Sequence, residues 1–200
     1  TTATMYDVFV DYTAGTPALE AVSWTNDTTR ATALAVQNGV YVQTADADSR
    51  YVCSFRTTGV SGQTEDSSAK RYVWNYYNRV TRGLQVIDTA NSWTYTTAAY
   101  RQANANTANQ VEIVVGVAEV LVSLQVLANV SNDTGNTQAT IGIGYDSTTA
   151  ALTGPHTGIQ ADAVNVQRHV SAGVQHFPAI GRHFYAWLEY SQAAGVTTWY

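Results

Sequence analysis

One cysteine, Cys53, and one lysine, Lys70, stand in the whole chain of 200 residues. A single thiol excludes an intrachain disulfide and a cysteine-based zinc site, so stability must come from packing or assembly. Charged residues make up 12% of the sequence, about half of the usual ~25%. The polar surface is therefore neutral and built from Thr, Ser, Asn and Gln. With a net charge of −5 and no clustered cations, nucleic acid is excluded as a partner, because affinity for phosphate backbones rests on Lys and Arg. No apolar run approaches the about 18 residues of a membrane span, so membrane insertion is not expected. Residues 1–12 lack the basic start of a secretory signal and soon alternate like a strand. Met5 is the only methionine, which reads as a fragment or processed product of a longer chain whose N-terminal part holds an anchor.

What the chain does have is period-two alternation. In Lys70-Arg71-Tyr72-Val73-Trp74-Asn75-Tyr76-Tyr77-Asn78-Arg79-Val80, alternate residues put Tyr72, Trp74 and Tyr76 on one face and Arg71, Asn75 and Arg79 on the other. Aromatic residues suit the half-buried surface of a sheet, so Trp74 is expected in the core. Arg71 and Arg79 become candidates for fixing a neighbouring chain through planar hydrogen bonds. Similar segments recur, separated by Gly, Asn, Asp and Ser clusters, with almost no helical periodicity. They predict strands at 5–12, 18–24, 31–37, 40–44, 50–57, 71–80, 83–88, 92–97, 99–103, 110–117, 119–128, 138–145, 162–170, 181–190 and 195–200. In 5–12, Tyr6, Val8, Val10 and Tyr12 form one side and Asp7 and Asp11 the other. Asn38-Gly39 signals a tight hairpin, and Asp46-Ala47-Asp48 reads as an acidic loop. Cys53 alternates with Tyr51 and Phe55 as a small apolar core residue. The fold class that follows is all-β, an antiparallel β-sandwich, as a single domain over 1–200.

Two strands look too apolar for an ordinary sandwich. In 119–128, Val120, Val122, Leu124 and Val126 form the inner row, leaving Leu121 and Leu127 outside and in need of cover by a subunit contact. In 181–190, Phe184, Ala186, Leu188 and Tyr190 oppose His183, Tyr185, Trp187 and Glu189, so both faces are apolar and the strand is buried twice. Tyr185 and Trp187 are the expected interface side.

Signals for chemistry are sparse. His156, His169, His176 and His183 are spaced 13, 7 and 7 residues apart, without a metal-binding pattern. The acidic pairs Glu65-Asp66 and Asp46/Asp48 fall in turn-forming stretches. Gly142-Ile143-Gly144 lacks the following helix and lysine of a nucleotide loop, and no GxSxG elbow occurs. Neither catalysis nor a cofactor nor a metal is expected.

Several stretches carry a resemblance: Gly62-Gln63-Thr64-Glu65-Asp66-Ser67-Ser68-Ala69 running into Lys70–Arg79; Ser92-Trp93-Thr94-Tyr95-Thr96-Thr97; Arg101-Gln102-Ala103-Asn104; Ile141-Gly142-Ile143-Gly144; and Gly181-Arg182-His183-Phe184-Tyr185 with Trp187-Leu188-Glu189. Together they resemble the C-terminal region of tailed-bacteriophage virion structural proteins, of the head-fibre or tail-fibre kind. The resemblance implies a jelly-roll-like knob on the virion surface, assembled as a homotrimer beside other virion proteins and touching a host-surface glycan. Relatives tend to carry Leu-Gly-Thr where this chain has Cys53-Ser54-Phe55, a departure that touches packing. Two alternatives stand beside the fibre reading. One is a capsid decoration or cement protein. The other is a carbohydrate-binding module or polysaccharide-degrading domain, in which Trp93, Trp187 or Trp199 stacks on sugar rings; Trp93 and Trp199 are the glycan-contact candidates.

Overall fold

The computed structural model describes residues 1–12, 15–152, 158–161 and 163–200. Gly and Pro mark a turn at Ala14-Gly15-Thr16-Pro17 and a loop around Gly154-Pro155-His156 in the sequence; Ala14, that loop and residue 162 of the expected 162–170 strand lie outside the described residues. Among those described, the only helical element is a short 3-10 turn, Ala103–Ala105, and the rest of the regular structure is strand. The alternation thus translates into an all-β, sandwich-like fold of antiparallel sheets. One domain was expected over 1–200; the described chain forms two compact units whose segments alternate along the sequence. Unit 1 comprises Thr1–Leu84, Glu112–Val120 and Phe177–His183, and unit 2 comprises Gln85–Val111, Leu121–His176 and Phe184–Tyr200.

In unit 1, β1 (Met5–Asp11), β2 (Ala18–Ser23), β3 (Leu34–Gln37), β4 (Val40–Gln43) and β5 (Asp46–Arg56) pair in the order β2-β1-β5-β4-β3. Asn38 and Gly39 take φ of 50° and 81° between β3 and β4, the positive values that a primed hairpin turn demands. After β6 (Lys70–Arg71), β7 (Val73–Asn75) pairs with β5 at Cys53↔Asn75 and Phe55↔Val73. The core gathers Met5, Phe9, Trp24, Tyr51, Tyr72, Trp74, Val114 and Val117.

Several expectations fail here. The aromatic strand does not run to residue 80, because the Asn75 side chain accepts the backbone N–H groups of Tyr77 at 2.9 Å and Asn78 at 3.1 Å. That Asx turn bends the chain out of the sheet. The strand expected at 83–88 is likewise absent. Asp46-Ala47-Asp48 opens β5 rather than forming a loop. In β1 the inward row is Met5, Asp7 and Phe9, the face that carries Asp7 rather than the face of Tyr6, Val8 and Val10. A bulge against Val8/Phe9 places Val52 as an extra residue in β5 and flips the facing strand. Tyr51 and Ser54 therefore turn inward, whereas Cys53 and Phe55 share the other side with Tyr6, whose ring stacks on Phe55 at 5.1 Å.

In unit 2, β11 (Val122–Asn132), β14 (Arg168–His176), β16 (Thr197–Trp199) and β8 (Trp93–Tyr95) make a sheet in the order β14-β11-β16-β8. A second sheet contains β12 (Thr137–Tyr145), which pairs with β13 (Gly158–Ala161) on one side and β15 (Gly181–Ser191) on the other. β9 (Arg101–Gln102) pairs with β15. The two sheets share a core of Ala128, Val130, Ala139, Ile141, Val170, Ala172 and Trp199. β10 (Gln110–Val115) begins in this unit, and its Glu112 and Ile113 pair in parallel with β6 in unit 1. The inner row Val122, Leu124 and Val126 of β11 is more buried than its outward neighbours, and β15 is buried on both faces, as their patterns predict.

Trp74 is 6% exposed, so Trp74→Ala is expected to lose about 3–5 kcal/mol in chemical denaturation. Asp7→Ala is expected to lose a similar about 3–5 kcal/mol, because Arg30 is left charged and buried without its partner. The double variant Asp7→Leu/Arg30→Met should recover much of that loss in the same measurement.

Candidate functional site

Three buried carboxylates organise the polar interior, and all three sit in strands between apolar neighbours. Asp7, 2% exposed, receives Arg30 Nε at 2.7 Å and the Ser54 hydroxyl at 2.6 Å. The Tyr51 and Ser54 hydroxyls lie 2.6 Å apart, and burial lifts the Tyr51 phenol far above its ordinary range. Also in unit 1, Glu112 Oε2 accepts the Tyr72 hydroxyl at 2.5 Å and Arg182 Nε at 3.0 Å. Burial, reinforced by the hydrogen bond to Glu112, pushes the Tyr72 hydroxyl up to about 12.

In unit 2, Glu189 is fully buried at 0% exposure. Its Oε1 accepts Arg101 Nε at 2.7 Å and the Asn104 backbone N–H at 3.2 Å, and its Oε2 accepts the Trp93 indole N–H at 2.5 Å. Burial raises the carboxyl above its usual range, opposed by Trp93 and Arg101. Each of these carboxylates is occupied by its own chain. Such saturated networks hold strands in register.

The side chains singled out by sequence fall into two groups. Leu121, the residue before β11, and Leu127, on its outward side, lie exposed at 45% and 52%. The others are engaged within the chain. Arg71 donates to the Val80 carbonyl at 3.3 Å. Arg79 lies 4.5 Å from the Tyr76 ring centroid and donates to Glu119 at 2.9 Å. Glu119 also accepts the Tyr41 hydroxyl, and these two bonds hold its carboxyl below the usual range. Both guanidinium groups thus have a partner within their own chain.

Tyr185 is buried, with its ring 5.4 Å from Tyr145 and its hydroxyl 2.9 Å from His176 Nδ1. It therefore offers no interface side. Trp187 is half-buried and packs edge-on against Trp93 at 5.6 Å. Trp199 has 0% exposure, so it has no ring face to present to a sugar. Trp93 is half-buried, with its N–H spent on Glu189. Burial raises the half-exposed Cys53 thiol, and Asp7 adds to that shift.

No three His, Cys, Asp or Glu side chains converge as a metal site among the described residues. An open groove of about 430 Å³ is lined by Ala3, Thr4, Met5, Trp24, Thr25, Asn26 and Asp27. Asp27 is already paired with Arg56 at 2.9 Å.

Sequence reasoning missed the three buried carboxylates. The available signal was an acid flanked by large apolar residues inside a strand: Asp7 between Tyr6 and Val8, Glu112 between Val111 and Ile113, and Glu189 between Leu188 and Tyr190. No protein-family model, no curated protein and no solved structure matches this chain.

Asp88 anchors a stretch without strands. It accepts the Ala90 backbone N–H at 2.9 Å and the Asn109 and Asn104 amides at 2.6 and 3.2 Å. Burial works to raise its pKa, but these hydrogen bonds outweigh it and hold the carboxyl below its ordinary range. A folded-state value below the unfolded one means stabilisation above the ordinary carboxylate range, lost as pH falls through the lowered value. The stability gap between wild type and Asp88→Ala should therefore narrow when urea denaturation is repeated at progressively acidic pH.

Proposed function

We propose that this chain is a non-enzymatic surface protein of a tailed-bacteriophage virion, a jelly-roll-like fibre knob that assembles as a homotrimer and meets the host surface through its loops. The observation that carries the reading is a set of large apolar side chains standing exposed on a sparsely charged chain. Leu121 stands out just before β11 and Leu127 along it, and Leu19, Ile87 and Phe177 are exposed at 77%, 69% and 65%. Apolar groups left in water favour burial against a partner. With 12% charged residues and one lysine, little repels a second copy. Closed cyclic assembly satisfies such patches, because each finds its complement on the next subunit.

The absence of a catalytic motif in the sequence and the saturation of the buried carboxylates by internal partners support a building role. The resemblance of the Lys70–Arg79 block and of the Gly181–Glu189 strand to virion structural proteins supports the phage assignment. A glycan module built on Trp93 or Trp199 is not favoured, since both are held inside unit 2.

Size-exclusion chromatography with light scattering at micromolar concentration tests the assembly. A mass of three 21.6 kDa chains, or a multiple of three, is expected. A stable monomer or a two-chain particle overturns the trimer.

A further inference from the structure

β14 is a nine-residue strand at the end of its sheet. Its inner edge is filled by β11 without a register shift, from Val122↔His176 to Val130↔Arg168. Its outer edge has no strand partner among the described residues, so alternate backbone N–H and C=O groups face outward in a row about 30 Å long. Protein edges are commonly guarded by lysine, proline, a bulge or short length. The other sheet ends here are shorter: β2 has six residues and carries Glu20, β3 and β13 have four each, and β8 has three. β14 is long, has no register shift and holds no proline or lysine, and its one formally charged residue, Arg168, stands at its first position.

Its sequence is also close to a palindrome of size and polarity. Around Ala172, the run Val170-Ser171-Ala172-Gly173-Val174 reads alike in both directions. In a two-fold antiparallel pairing centred on Ala172, Val170 lies opposite Val174 and Ala172 opposite itself. These belong to the row that faces the unit 2 core, where Val170 and Ala172 are buried. On the outward row Ser171 lies opposite Gly173, and His169 opposite Gln175. No pair from His169 to Gln175 sets two Asp/Glu or two Lys/Arg side chains against each other, the like-charge arrangement that destabilises cross-strand pairing; at the two ends Arg168 lies opposite His176.

We infer that the free edge of β14 is a homotypic docking edge, on which β14 of a second copy adds antiparallel about Ala172 and extends the β14-β11-β16-β8 sheet across two copies. The occupant is a second copy because the pattern from His169 to Gln175 complements itself and contains no Asp, Glu, Lys or Arg that would select a different partner; Arg168, the one formally charged residue of β14, lies at its end outside that pattern. A C2 contact of this kind uses one patch twice. It is independent of the fibre reading, and mass separates the two: two copies for the β14 edge alone, three for the trimer alone, six for both.

The test uses the full chain. Ser171→Glu/Gly173→Glu places glutamate opposite glutamate twice across the two-fold, and Ser171→Lys/Gly173→Lys does the same with lysine. A Cβ at Gly173 meets only the Leu124 carbonyl oxygen, at an ordinary 3.5 Å, so the site accommodates a side chain. In light scattering, the wild type is expected to contain an even number of chains. Either charged variant should halve that mass, and an equimolar mixture should restore it, since glutamate then faces lysine. A wild-type mass of one or three chains overturns the inference, as does a charged variant that folds and keeps the wild-type mass. Amide exchange on the wild type gives a readout that needs no variant. The β14 N–H groups not bonded to β11 should be protected at high protein concentration and exposed on dilution; rapid exchange at both concentrations overturns the pairing.

Discussion

The interior of unit 1 depends on Arg30 being held charged beside Asp7. The Arg30 side chain is 9% exposed and is held through Nε and Nη2 between a carboxylate, a backbone carbonyl and two rings. Asp7 takes its fork, the Gly116 carbonyl accepts Nη2, Trp24 lies 4.7 Å away and Tyr51 5.4 Å away. Desolvating two charges costs several kcal/mol per ion unless partners replace water, and here Asp7, the Gly116 carbonyl and two aromatic rings take much of that part. The cost also explains Gly116, where an added Cβ would run into the Tyr51 hydroxyl, the Trp74 ring and Ser54. Charge pairing, aromatic packing and a bare backbone position are thus one constraint.

The same device recurs at Glu112 with Arg182 and at Glu189 with Arg101. Arginine suits this task because its planar fork grips a carboxylate at two points and its weakly hydrated face rests on aromatic rings. The contacts of Arg79 with Tyr76 and of Arg101 with Tyr95, at 4.5 and 4.0 Å, show the second property. In a chain with few charges, the three buried carboxylates are thus each matched by an arginine of the same unit.

Period-two alternation made the architecture legible, because side-chain direction in a strand follows directly from sequence order. β11 and β15 behave as their patterns imply, and Asn38-Gly39 turns where its chemistry requires. Legibility ended where one residue changed the count. Val52 bulges from β5 and reverses the expected placement of Cys53 and Phe55, and Asn75 ends an aromatic run whose composition still says strand. The interior carboxylates were hidden for another reason: an acid reads as solvent-facing unless its arginine is known, and Arg30 lies 23 residues from Asp7. Tyr185 and Trp187 were assigned outward because both faces of their strand are apolar, yet both faces are covered within unit 2. Leu121 and Leu127, judged by their place opposite an apolar row, are the interface candidates whose exposure matches the alternation.

The alternation of the two units along the sequence bears on how the chain reaches its native state. Unit 1 takes its last segment from Phe177–His183 and unit 2 takes its own from Phe184–Tyr200. A polypeptide emerging from the ribosome therefore cannot finish either unit until nearly all of it has been made. Closing such long loops before their contacts form is entropically slow, so nascent chains would pass through a prolonged interval with strand edges unprotected, the circumstance in which chaperones matter most.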